Sequence, residues 1–153
     1  MNKKRILYGV VILFIVIQVF RIDKENPPVD PKKDFIALTN PPLKVANIIK
    51  ASCYDCHSNE TTYPWYSNVA PVSWWVQHHI DDARKHLNFS TWADYNDKKQ
   101  DHKLEECVEE VGEGEMPLDS YTWIHSEAVL SKAQRDELVE WFESKRTYIS
   151  DKK

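Results

Sequence analysis

Glycine is nearly missing: the chain has three in 153 residues. With so few positions able to take left-handed backbone, a turn-rich β fold is disfavoured. Long charged stretches broken by apolar positions point instead to helices packed on helices. Methionine is scarcer still, with two, one of them the initiator. Three cysteines are too few for a disulfide scaffold, and their odd number leaves one without an obvious mate. An excess of positive charge is also lacking. The net charge is -4, and beyond residue 22 the chain carries 16 basic against 24 acidic residues, a balance of -8. Nucleic-acid binding asks for a basic face, so that class is excluded. Solubility explains the charge more simply than a basic partner surface does. Aromatics, by contrast, are plentiful. Six Trp and seven Tyr suit the walls of a pocket for a large flat ligand as well as an ordinary core.

No apolar run reaches the roughly 20 residues that comfortably span a bilayer. ILYGVVILFIVIQVF, residues 6–20, is shorter, but it follows a basic start and no small-x-small cleavage site comes after it. The pattern predicts an uncleaved signal anchor over residues 1–22, with Lys3, Lys4 and Arg5 at the cytoplasmic headgroups. The positive-inside rule then makes the chain single-pass in the cytoplasmic membrane and puts the rest in the periplasm. A cleaved signal peptide is the alternative. No Cys follows the run, so a lipoprotein anchor is unsupported. Residues 23–42 hold five of the eight prolines and read as an extended linker.

Past the linker the apolar period is helical. Val45, Ile48 and Ile49 mark one face of a helix from Leu43 that carries the first cysteine near its end. Pro64 and Pro71 bound a loop, a second helix covers 72–87, and Ser90 is placed to cap a third, highly charged one ending near Gly112 and Gly114. GEMPLDSYTWIHS reads as a loop. Ser131 with Gln134 forms a capping box for a last helix with Leu138, Trp141 and Phe142 on its buried stripe. The expected class is all-α: a cytochrome c-like helical domain, 43–146, behind the anchor, with a C-terminal tail at 147–153.

CYDCH, residues 53–57, admits three chemistries. A disulfide-exchange pair opens a helix, whose N-terminal dipole lowers a thiol pKa; this pair sits at a helix's far end. Structural zinc needs four ligands. Cys107 stands alone, and Cys56 and His57 are sequence neighbours, awkward for one tetrahedron. Haem uses every residue. Cys53 and Cys56 match the two vinyl groups as thioethers, and His57 follows as the proximal iron ligand. Met116, stiffened by Pro117 in a loop, is the candidate distal ligand; ordinary apolar filling is its bland alternative. His78 or His79, on a helix, is the rival; His86, His102 and His125 are scattered. Trp65, Trp74, Trp75 and Tyr66 follow the motif and are candidates for the pocket wall, core packing being equally compatible. Cys107 reads as a small buried residue, or as a free thiol open to intermolecular pairing.

CYDCHSNETTYPWYSNVAPVSWW, HHIDDARKHLNFSTW and GEMPLDSY resemble the bacterial haem-binding domain family, Haem_bd, over about residues 35–146. The resemblance implies one covalent haem c per chain through Cys53 and Cys56, with His57 proximal and Met116 at the distal Met position. Ala83, where a glycine is expected before Arg84, is a mild departure, and Cys107 falls outside the pattern. The expected function is a membrane-anchored monohaem c-type cytochrome passing single electrons to a redox partner protein at the membrane, with no catalytic residue. A peroxidase-like enzyme and a gas or redox sensor are the alternatives. Oligomeric state is open.

Overall fold

Polar side chains at the ends of segments, more than propensity, decide where the helices begin. A computed structural model describes residues 2–151; Met1, Lys152 and Lys153 lie outside it, so the expected tail is covered only in part. Helix α1 (Lys3–Ile17) starts at Asn2, whose side chain accepts from Lys4 N. Helix α2 (Phe35–Thr39) starts at Asp34, whose Oδ1 accepts from Ile36 N and Ala37 N at 2.9 and 3.2 Å. Then come α3 (Leu43–Ser52), α4 (Tyr54–His57), α5 (Val72–His86), α6 (Asp97–Glu113), α7 (Asp119–Thr122) and α8 (Lys132–Asp151). Short 3₁₀ turns cover Trp65–Asn68, Phe89–Asp94 and Ser126–Ala128. Among the described residues there is no strand.

The third helix starts later than Ser90 suggests. Asn88 caps the 3₁₀ turn through Ser90 N, and Asn96 caps α6 through Lys99 N at 2.9 Å. At α8 the capping box forms as expected: Gln134 N donates to Ser131 Oγ, and Gln134 Oε1 accepts from Ser131 N at 3.0 Å. Helix α6 ends on Gly114, whose φ of 89° suits a residue without a side chain. Arg135 Nη1 then donates to Val111 O at 2.8 Å, while Arg146 reaches Glu105 and Asp101. The start of α8 therefore meets the end of α6 and the reverse, so the two run antiparallel.

The core is aromatic. Phe35 is fully buried with its ring 5.0 Å from Phe89, 4.8 Å from Trp92 and 6.3 Å from Phe142. Tyr54 stacks on Phe89 at 5.4 Å, so the motif helix α4 is seated on this cluster. The all-α architecture, in the order helix, CxxCH, helices, Met-Pro segment and final helix, is consistent with a cytochrome c-like topology.

The anchor is overturned. Among the described residues no helix is long and apolar enough to cross a membrane. Helix α1 has 15 residues, about 22 Å at 1.5 Å per residue, against a hydrocarbon core of about 30 Å. It stops because Gln18 binds the domain: Nε2 donates to Phe14 O and Ala70 O, and Oε1 accepts from Ala70 N at 2.9 Å. The signal anchor, the single-pass topology with its periplasmic assignment, and the membrane as a partner are corrected with it. Nor is the proline-rich stretch a free tether throughout. Asn26 donates to Thr61 O, Pro28 O accepts from Asn59, and Phe35 lies in the core.

Candidate functional site

Cys53 is the hinge between two helices. Its N–H closes α3 on Ile49 O at 2.9 Å, and its carbonyl accepts from His57 N at 2.8 Å. Its own backbone, at φ -126° and ψ -38°, belongs to neither helix. The two residues between the cysteines fasten the motif on opposite sides. Tyr54 donates to Asp34 Oδ2 at 2.8 Å, and Asp55 accepts from Thr62 N and from Tyr121 O–H. Downstream, Arg84 holds the returning chain: its guanidinium donates to Ser58 O, Asn26 Oδ1 and Thr61 Oγ1 at 2.7–2.9 Å.

The electrostatics separate the three chemistries. Burial pushes the Cys53 thiol up to about 12, with the neighbouring Cys56 adding to it. Burial also raises Cys56 to about 11, reinforced by Asp55. A disulfide-exchange cysteine needs the opposite shift, because the thiolate is the nucleophile. Among the described residues no group of three or more His, Cys, Asp and Glu side chains is arranged to hold a metal ion, which removes the zinc set. His57 is shifted the other way. Burial lowers its pKa, against the raising effect of the Leu87 and Ala83 carbonyls. Burial thus favours the neutral imidazole, the form in which histidine ligates metals. Its Nδ1 faces Leu87 O at 3.2 Å; a carbonyl only accepts, so Nδ1 carries the proton and Nε2 keeps its lone pair.

Two clefts meet beside the motif. One is largely apolar and runs along Cys56, Tyr66, Trp75, Ile80 and Ile124. The other lies between α5 and α6 and holds Met116 with His78, His86 and Glu110. His79 and Leu118 line both, so the cleft at Met116 adjoins the apolar furrow at Cys56. Trp75 is on its wall. Trp65 is 76% exposed and touches Tyr66 edge-on at 5.9 Å, away from the furrow's lining. Met116 and Pro117 are partly buried, Met116 against the core cluster. His78 and His79 both reach the Met116 side, with His79 Nδ1 donating to Trp75 O at 2.9 Å. Asp34, Asp55, Tyr121 and Arg84 were given no role in the sequence, since isolated polar side chains carry no apolar period. Asp55 lies between the cysteines, Tyr121 closes GEMPLDSY and Arg84 falls inside HHIDDARKHLNFSTW, so the motifs themselves direct attention to these three.

Fold and site together define a helical domain for covalently held haem: protonated, unpaired cysteines at the attachment spacing, a neutral imidazole next to them, and an apolar furrow alongside. Residues 12–144 match the Haem-binding domain family, Haem_bd, and the chain belongs to it. Its cofactor is haem c with its iron, and the Cys53-x-x-Cys56-His57 spacing is that of covalent attachment. No curated protein and no solved structure matches the chain.

Cys107 is the remaining thiol. It packs against the same core cluster as Cys53, and burial raises its pKa, with Cys53 as the next cause. Cys107→Ala is expected to keep full haem attachment, read by haem staining after denaturing electrophoresis. The lost packing should cost about 1 kcal/mol, at the small end of large-to-small core changes.

Proposed function

We propose that the chain is a monohaem c-type cytochrome that carries one electron at a time, with Cys53 and Cys56 as the attachment residues, His57 as proximal ligand and Met116 as distal ligand. The observation that carries this is the apolar furrow at Cys56, adjoined by the cleft at Met116, with His57 Nδ1 held on Leu87 O. When bound, the haem supplies an iron that accepts and releases one electron. The chain's own residues do the rest. Leu87 O fixes the His57 tautomer and orients the ring. Trp75, Ile80 and Leu118 exclude water from the furrow. A thioether from Met116 together with the His57 imidazole would favour the reduced state and raise the potential. Redox exchange with a partner protein is the use to which such a site is suited.

Optical and EPR spectra of Met116→Ala beside wild type test the ligation. Wild type is expected to show the deep-red Met-to-iron band in the oxidised form, and the variant to lose it and go high-spin. An unchanged spectrum in the variant would move the distal role to His78 or His79. A high-spin ferric wild type would favour peroxidase-like chemistry instead.

A further inference from the structure

Between Gly112 and Glu127 no side chain is buried, and α7 buries none. Trp123 and Ile124 are 82% and 61% exposed. Apolar packing on this segment is partial, with Met116 against the core cluster and Leu118 and Ile124 on the furrow wall. A second set of contacts, polar and aromatic, ties it to the attachment motif. Tyr121 O–H donates to Asp55 Oδ2 at 2.7 Å. The Tyr121 ring lies flat on His125, with centroids 4.2 Å apart and planes at 13°. His125 Nδ1 faces Glu127 Oε1 at 3.2 Å, and Nε2 faces Tyr66 O–H at 2.8 Å. A carboxylate only accepts, so Nδ1 bears the proton and Nε2 accepts from Tyr66. Tyr66 in turn lines the furrow with Cys56. Burial raises both phenols, so each stays a donor.

We infer that Tyr121 and the Tyr66–His125 pair are positioning residues: they latch the Met116 segment to Asp55 and the turn after the motif, and so hold the distal ligand in place. The inference rests on the reading of Met116 given above. Asp55 is then more than a spacer between the cysteines. It ties the residues that would hold the haem to the peptide that carries Met116. The expected result of opening the latch is a distal position that yields to an outside ligand.

Imidazole is the probe, titrated into the oxidised, haem-loaded protein while the Met-to-iron band is followed. A hydrogen bond to a carboxylate is worth about 1.5–3 kcal/mol, and about 1.4 kcal/mol is tenfold. Tyr121→Phe is accordingly expected to bind imidazole about tenfold more tightly. Tyr66→Phe should shift in the same direction by about threefold, a neutral bond being weaker. Asp55→Asn leaves one oxygen for two donors, Thr62 N–H and Tyr121 O–H, and should shift in the same direction by at least about threefold. A lower urea midpoint in Tyr121→Phe with imidazole affinity unchanged would make the latch merely structural and overturn the inference. Wild-type imidazole affinity in Asp55→Asn would mean that the carboxylate does not anchor the segment and would overturn it too. If Tyr121→Phe does not fold, unchanged affinity in Tyr66→Phe has the same force. Met116→Ala separates the two readings. An unaltered spectrum there removes the Met116 assignment and this inference together. A lost band there with wild-type imidazole binding in Tyr121→Phe removes this inference alone.

Discussion

Replacing Cys53 and Cys56 together by alanine is expected to abolish porphyrin retention under denaturing conditions. Wild-type chain made in a host that matures c-type cytochromes should still carry the porphyrin mass after complete unfolding, because thioether bonds do not depend on the fold. The double variant should release all of it, since only His57, Met116 and furrow contacts would remain. Each single variant should keep a single attachment. Mass spectrometry of unfolded protein reads the result directly. The raised thiol pKa values bear on the same point: Cys53 and Cys56 stay protonated near neutral pH, so neither has the thiolate character of a disulfide-exchange residue. Colourless wild-type protein from that host would end the haem reading.

The second large effect is expected at Phe35. Truncation to alanine removes a fully buried ring that contacts Phe89, Trp92 and Phe142, and should cost about 3–5 kcal/mol. Native domains have about 5–15 kcal/mol in total, so the urea midpoint should fall by a large fraction with little change in slope. A loss below about 1 kcal/mol would mean that the ring is not the centre of the core. The loss also reaches the site. Phe89, which Phe35 supports, carries Tyr54 on one side and meets the His57 ring at 6.5 Å, so a loosened cluster should broaden the spectra of the haem-loaded protein.

Phe35 also shows where the amino-acid pattern misleads. It follows three prolines and precedes two more, and composition alone assigns it to a linker. Nothing periodic surrounds it, because a five-residue helix has no room for a repeating face. Asp34 is the local cue: an N-cap whose second oxygen also serves Tyr54. The attachment motif was legible because its chemistry is contiguous. Cys53, Cys56 and His57 need no distant partner to be recognised. The furrow was not legible, because Cys56, Trp75 and Tyr121 reach it from segments far apart in the chain. The anchor expectation failed for a related reason. Apolar content in residues 6–20 is a one-dimensional quantity, whereas the end of α1 is set by Gln18 and Ala70, a pairing visible only in three dimensions.

That pairing bears on how the protein can be shortened. An expression boundary chosen just after the last proline would discard Gln18, Asn26, Pro28 and Phe35, leaving Ala70 N–H, Asn59 and one arm of Arg84 seeking replacements in solvent. A cut ahead of Gln18 spares them all. The smallest self-sufficient piece therefore begins upstream of the prolines, with the leading strap serving as an edge of the folded body.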